Sequence, residues 1–341
     1  MASDYQCIMV TGGAGFIGVN FVKMLLKAEP MLKIINLDLL TYAGNLSSLA
    51  DCMDNPRHLF VKGDIADSAL VGKLMAEHHV DGIINFAAES HVDRSITGPK
   101  IFVDTNIGGT LNLLQCGKKA GIKRYLQVST DEVYGSLAPD EAEFTETTTI
   151  KPNSPYSASK AGADHMVRAF HHTFGMNCVI TRCSNNYGPY QFPEKMIPLC
   201  INNIMHDRPI PVYGDGLQIR DWLYVNDHCT AIWKVFTAGT PGEVYNIGGC
   251  NEKTNLDLVK TLLKLLGKDE SLITFVKDRP GHDRRYAISP KKIMGQLGWA
   301  PSENFDSGIA KTVQWYLDNR VWLDRITSGA YRQYYADRYD K

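Results

Sequence analysis

Apolar residues in the first half of the chain come in short runs, separated by stretches where they recur every three or four positions. The runs are CIMVTG (7–12), KIINLD (33–38), HLFVKGD (58–64), GIINFAA (82–88), RYLQVST (124–130) and NCVITRCSN (177–185). Each has the length of a buried strand, while residues 16–27, 67–79, 103–121 and 155–174 carry helical spacing. Alternation of the two predicts a parallel sheet wound with helices. From about residue 187 the rhythm breaks. NYGPYQFPEKMIP and RPIPVYGDG, rich in proline, glycine and aromatics, read as loops that shape a pocket. Apolar alternation returns briefly in DWLYVNDH and EVYNIGG, and a mostly helical tail follows.

Composition narrows the function classes. Thirty-six basic against 37 acidic residues leave no basic field for nucleic acid or an anionic membrane. An anionic ligand would therefore have to be held by a few local cations. No apolar run approaches the ~20 residues of a membrane span, and MASDYQ lacks the pattern of a secretion signal. The eight cysteines are scattered with no C-x-x-C pair, which suits reduced thiols and a cytoplasmic protein; no metal site is expected. A length of 341 residues allows two domains.

TGGAGFIG (11–18) follows the first strand and opens the first helix. Gly12, Gly15 and Gly18 let backbone approach a pyrophosphate and seat it at a helix N-terminus. Asp38, twenty residues beyond Gly18 at the end of the second strand, suits the ribose hydroxyls of the adenosine. Its charge would repel a 2′-phosphate, so the expected cofactor is NAD rather than NADP. Asp64 and Ile65, ending the third strand, are placed to flank the adenine. The expected fold is an α/β, Rossmann-type doubly wound parallel sheet with a smaller, mostly helical substrate-binding domain. Residues 1–186 and 221–249 would form the cofactor domain, 187–220 and 250–341 the second.

In PYSASKAGADH, Tyr156 and Lys160 lie four apart and share a helix face, so the ammonium is expected to lower the phenol's pKa. Such a phenol exchanges a proton with a substrate hydroxyl while hydride moves to or from a nicotinamide. Together with the glycine fingerprint, this pair resembles the extended short-chain dehydrogenase/reductase superfamily along nearly the whole chain. In that fold the strand before the tyrosine helix ends beside the nicotinamide, which sets Thr130, Asp131 and Glu132 of VSTDEVYG against the substrate. A dehydrogenase, 4-epimerase or decarboxylase has no use for two added acids. Elimination of water does: oxidation of a sugar's carbon 4 acidifies the hydrogen on carbon 5. One carboxylate can take that proton while the other, protonated, helps the 6-hydroxyl leave.

TGGAGFIG, AAESHVDRSI, VSTDEVYG, PYSASKA, NNYGPYQFPEK, RDWLYVNDHC and DRPGHDRRYAI together resemble the nucleotide-sugar 4,6-dehydratases, most closely those acting on dTDP-glucose. The resemblance implies Thr130, Asp131, Glu132, Tyr156 and Lys160 in catalysis, Asp131 as acid and Glu132 as base. It implies Phe16, Ile17, Thr41, Ala87, Ala88, Ser90, Thr105 and Asn186 beside NAD. Around the nucleotide sugar it sets Ser90, Thr130, Asn185, Glu194, Lys195, Pro211, Tyr213, Arg220, Asn255, Arg279, His282 and Tyr339. Lys195, Arg220 and Arg279 are suitable cations for a diphosphate. His91, Asp93 and Arg94 would hold the loop beside the cofactor. UDP-glucose is the alternative substrate, and a non-catalytic NAD-binding protein the alternative class. A homodimer is expected through the helices at 103–121 and 155–174, with Ile107, Leu111, Leu114, Ala163, Met166, Val167 and Phe170 as apolar positions.

Overall fold

The computed structural model describes residues 4–278 and 283–328. All six apolar runs form strands: β1 (Cys7–Thr11), β2 (Lys33–Asp38), β3 (His58–Lys62), β4 (Gly82–Asn85), β5 (Arg124–Thr130) and β6 (Cys178–Cys183). With Val244–Ile247 at one edge they make a seven-stranded sheet in the order Val244–Ile247, β6, β5, β4, β1, β2, β3. Every pairing in it is parallel. The winding reverses between β1 and β4, and a crevice for ligands opens beyond the carboxyl ends of the strands there.

Strand period divides the core in two. Ile8 and Val10 of β1 pack with Leu25 and Phe236 on one face, while Cys7 and Met9 pack with Leu74 and Leu113 on the other. A separate core beyond residue 187 gathers Tyr187, Ile201, Trp222, Leu258, Val313 and Tyr316. Strand Ile219–Tyr224 joins the two lobes by the same alternation, sending Leu223 into the sheet's core and Trp222 and Tyr224 into the second. Ile293 and Trp299, far along the tail, pack back against the sheet.

Three sequence readings need correction. The stretch taken as a pocket loop contains a strand, Asn185–Tyr187, and runs into a helix, Met196–Met205. Pro198 obscured that helix, yet it lies in the first turn, where a backbone N–H has no partner inside the helix to lose. Ile210–Tyr213, also read as loop, is a strand paired with Ile273–Val276, which supplies hydrogen-bond partners that no local pattern shows. DWLYVNDH is strand only as far as Tyr224, and helix Val225–Ala238 starts at the next residue.

The helical stretch after residue 103 opens as a π-helix, Val103–Gly109, before becoming an α-helix, Thr110–Ala120. Helix Pro155–Phe174 packs beside it. Of the seven apolar positions expected to meet a symmetry mate, Leu114, Ala163, Val167 and Phe170 are buried in the chain's own core. The outer surface instead offers Ile101 and Val103, each 51% exposed, with Ile107, Leu111 and Met166 partly covered. Among the described residues, no helix is long and apolar enough to cross a membrane.

Candidate active site

A cleft of about 370 Å³ runs along the carboxyl ends of β1, β2, β4, β5 and β6. It starts at the glycine turn. Gly12 takes a left-handed φ of +69°, and a Cβ there would come within 2.7 Å of the Ala87 nitrogen. A Cβ on Gly18 would stand 2.2 Å from the Gly12 carbonyl oxygen, so turn and helix approach more closely than any side chain allows. Helix Phe16–Ala28 begins at Gly15 with no side-chain cap and no acid in its first turn. Its first N–H groups therefore face the cleft without a local acceptor, an arrangement that receives a phosphate. At the far end the buried Asp38 accepts from Ala14 N at 2.9 Å and Leu40 N at 2.7 Å. Burial raises its pKa, and the two backbone bonds work against that rise. The fingerprint, the uncapped helix and the acid fit a dinucleotide without a 2′-phosphate.

The reactive end is assembled from β5 and the helix after it. Ser154 caps helix Pro155–Phe174, accepting from Ser157 N at 3.0 Å, and Pro155 occupies the first position, where its missing N–H costs nothing. Tyr156 and Lys160 then fall on the cleft face, both buried. β5 ends at Thr130, whose hydroxyl caps a short 3-10 turn, Asp131–Tyr134, by accepting from Glu132 N at 3.3 Å. That cap leaves Asp131 and Glu132 at the start of the turn, lining the same wall as Tyr156.

The electrostatics differ from the expectation for the pair. Lys160 Nζ donates to the Val128 carbonyl at 2.7 Å, and burial lowers its pKa, with Asp164 opposing. The Tyr156 phenol is not lowered but pushed well above its ordinary value, by burial first and then by the charge of Glu132. Low dielectric penalises phenolate and ammonium alike, and the four-residue spacing says nothing of that. A Thr130 hydrogen bond is what favours the phenolate. Asp131 is 2% exposed, and its carboxyl is driven well above the usual range by burial, then by Glu132 and Asp221. One oxygen meets the Thr130 hydroxyl at 3.3 Å; the other, Oδ2, accepts no hydrogen bond among the described residues. Glu132 accepts from Ser157 Oγ at 3.5 Å.

All residues matched to the cofactor line this one cleft, as do the five matched to catalysis. Ser90, Asn185, Glu194 and Lys195 join them from the sugar set. Lys195 Nζ donates to Ser90 O at 3.0 Å, and the buried Glu194 accepts from Tyr42 OH at 2.9 Å. Burial raises the Glu194 pKa, with Lys195 the main opposing charge. Arg94 lies 3.7 Å over the Tyr42 ring and 3.9 Å from Glu194, and His91 stands 3.8 Å from the same carboxylate.

Pro211, Tyr213, Arg220 and Asn255 do not line the cleft. They belong to strands Ile210–Tyr213 and Ile219–Tyr224 and to the start of helix Asn255–Leu265. Arg220 is buried, donates to Asp283 O at 2.9 Å, and its charge lowers the pKa of Asp131. Arg279, His282 and Tyr339 lie outside the described residues. Sequence reading passed over Glu89, Cys183, Ser184, Gln191 and Phe192, which also line the cleft. Cys183 ends β6 and Ser184 follows it at the carboxyl edge of the sheet, and that position alone could have marked them.

Comparison with known proteins agrees with this geometry. The family model described as GDP-mannose 4,6 dehydratase matches residues 9–312. A dTDP-glucose 4,6-dehydratase of Xanthomonas campestris pv. campestris (strain B100) is 54% identical, over 95% of this chain and 97% of its own length. One from Escherichia coli (strain K12) is 50% identical over 98% and 99%. DesIV, a dTDP-glucose 4,6-dehydratase from Streptomyces venezuelae solved with NAD bound, superposes with a TM-score of 0.91 at 49% identity, covering 94% of this chain and 99% of DesIV. The fold itself is shared more widely, since the Thermotoga maritima UDP-glucose 4-epimerase reaches a TM-score of 0.86 at 28% identity. The glycine turn, the Tyr-Lys pair and the two acids thus sit in a chain that matches the dehydratases over almost its whole length at about twice the epimerase's identity, and it belongs to the dTDP-glucose 4,6-dehydratase family.

Proposed function

We propose that the chain converts dTDP-glucose to the 4-keto-6-deoxy sugar. It does so by NAD-dependent oxidation at carbon 4, loss of water across carbons 5 and 6, and reduction at carbon 6. One observation carries the reading: two adjacent acids, the buried Asp131 and the half-buried Glu132, stand on the same wall as Tyr156 and Lys160.

NAD, when bound, supplies the hydride acceptor for the first step and the donor for the last, and it ends unchanged. Tyr156 takes the proton of the 4-hydroxyl. Its surroundings favour the neutral phenol, and the Thr130 hydrogen bond favours phenolate; the Lys160 ammonium, on the same helix face, is assigned to help it when the sugar is oxidised. Glu132 removes the carbon 5 proton and returns it to carbon 5 when carbon 6 is reduced. Asp131, held protonated by burial and by its neighbour's charge, gives its proton to the departing 6-hydroxyl. Neighbouring carboxyls divide the roles because both cannot ionise cheaply in the same low-dielectric wall. The sheet domain holds NAD, and the lobe built on the second core covers the sugar and keeps water from the unsaturated ketone. Lys195 counters the diphosphate, with Asn185 and Glu194 beside the sugar; Arg220, Pro211, Tyr213 and Asn255, outside the cleft wall, are assigned to the nucleotide by their match to the family's motifs. The matches of Arg279, His282 and Tyr339 complete that set.

We infer a homodimer formed through the helical stretch 103–121 and helix Pro155–Phe174, supported by the outward apolar Val103 and, just before it, Ile101. A cytoplasmic location is supported by eight free cysteines. Incubation with dTDP-glucose and UDP-glucose separately, followed by mass spectrometry, tests the activity. Loss of one water from dTDP-glucose is expected; loss from UDP-glucose alone moves the reading to the UDP sugar, and loss from neither refutes it.

A further inference from the structure

Behind the acid turn lies a chain of buried polar groups that the chemistry above does not use. Asp164, one helical turn beyond Lys160, accepts from Arg182 Nε of β6 at 2.9 Å. Arg182 Nη1 donates to the Tyr134 hydroxyl at 2.9 Å, and that hydroxyl donates to Asn246 Oδ1 at 2.8 Å. Asn246 belongs to the edge strand Val244–Ile247, and all four residues are at most 4% exposed. A buried Arg–carboxylate pair is costly to desolvate and adds little net stability compared with apolar packing. Its worth lies in fixing one arrangement among several, and what this chain connects is specific.

Tyr134 is the last residue of the turn Asp131–Tyr134 whose first two residues are the acids. Asp164 is on the helix that carries Tyr156 and Lys160. The turn is held at its start by the Thr130 cap. Its exit is held by Gly135 at a φ of +96°, where a Cβ would meet the Lys151 carbonyl at 2.6 Å, and by Lys151 N donating to Val133 O at 3.0 Å. Those backbone contacts fix the turn to its own strand and loop. Asp131 gains little from its own side chain, with Oδ1 in a long 3.3 Å contact and Oδ2 without a hydrogen-bond partner among the described residues. The Tyr134 hydroxyl, through Arg182, is a side-chain tie from the turn across β6 to the Tyr-Lys helix.

We propose that Asp164, Arg182 and Tyr134 are positioning residues that hold the dehydrating acids in register with the oxidising Tyr-Lys pair. The relay rests on the functional reading above. Oxidation uses Tyr156 and Lys160 of the helix, the Thr130 hydroxyl that ends β5, and NAD, and does not use the acid side chains of the turn. Elimination needs the acids at carbons 5 and 6 of that same sugar, so an error in register falls on the second step. Reacting groups misplaced by about 1 Å lose on the order of 10²-fold in rate, and loss of one hydroxyl should shift the turn by less than that.

The test uses the full-length enzyme with its NAD and dTDP-glucose. Tyr134→Phe keeps the ring against Phe144 but removes the hydroxyl. Arg182→Lys keeps a cation for Asp164 but lacks the second nitrogen that reaches Tyr134. Tyr245→Phe is the control, removing a buried hydroxyl bonded to Thr240 N at 3.0 Å and Gln296 at 3.2 Å, away from the cleft. For each purified variant, kcat, KM, bound NAD and the fraction of enzyme in the NADH form during turnover are measured. Both relay variants should keep NAD content and KM within about twofold and lose about ten- to hundred-fold in kcat, with NADH accumulating because oxidation outruns elimination. Tyr245→Phe should lower the melting temperature without raising NADH. A relay that merely stabilises the fold would make all three variants alike, and unchanged NADH in both relay variants overturns the proposal. Should Tyr134→Phe fail to fold, Arg182→Lys decides alone; a wild type inert on dTDP-glucose overturns the functional reading itself.

Discussion

Tyr156, Asp131 and Glu132 share one wall yet serve different bonds, so their variants should fail at different steps. Tyr156→Phe removes the proton acceptor for carbon 4, and little NADH should form. Glu132→Gln leaves Tyr156 and Lys160 intact; NADH should still form, while exchange of the carbon 5 hydrogen with solvent deuterium collapses. Asp131→Asn should permit some exchange without dehydration. Each loss should fall in the ~10²–10⁴-fold range typical of a general acid or base, and stopped-flow absorbance with mass spectrometry separates them. Near-normal dehydration by both acid variants would make the pair a structural feature only. Asp38 offers a second test at this scale: Asp38→Asn should weaken NAD retention and narrow the preference over NADP, read from cofactor content after dialysis with each dinucleotide.

Two elements aim the site, and each has a single weak point. The turn into helix Phe16–Ala28 depends on the close approach at Gly18, where a Cβ would stand 2.2 Å from a backbone oxygen. Gly18→Ala must push the turn open, at a cost of ~1–3 kcal/mol in stability by analogy with overpacking, together with loss of bound NAD. Thermal melts and cofactor content after purification check both. Helix Pro155–Phe174 depends on its Ser154 cap, and Ser154→Ala should cost about 1 kcal/mol, with the loss in activity larger than the loss in folded protein because Tyr156 sits in the capped turn.

At the scale of the molecule, His228 ties stability to pH. It is fully buried, its Nδ1 donates to Asn186 Oδ1 at 2.8 Å, and burial lowers its pKa to about 3. An unfolded chain binds that proton near the ordinary value of about 6.5. Between those two values the unfolded state holds more protons, so stability falls as pH drops through the window and is unaffected by this group above it. Urea midpoints measured from pH 7 to 4 should decline less steeply in His228→Gln. Light scattering at micromolar concentration should give twice the mass of one chain, and Val103→Lys should reduce it; a wild-type monomer refutes the dimer.

Pattern along the chain determined what depends on neighbours in sequence: all six early strands, the helix of Tyr156 and Lys160, the glycine turn and the acids after β5. Period two and period 3.6 are local properties, and so are caps and the spacing of a phosphate-binding turn. The chain's resemblance to a family then supplied the chemistry. Tertiary structure decided what depends on partners distant in sequence. Ile210–Tyr213 is a strand because Ile273–Val276 lies beside it, and Leu114 and Val167 are core rather than interface because one face of the sheet, with Met9, Ile83, Tyr125 and Ile180, closes over them. Lys160 could not be seen to face a carbonyl of β5, nor Tyr156 to be raised rather than lowered, since desolvation is set by everything packed around a group and not by the residue four positions away.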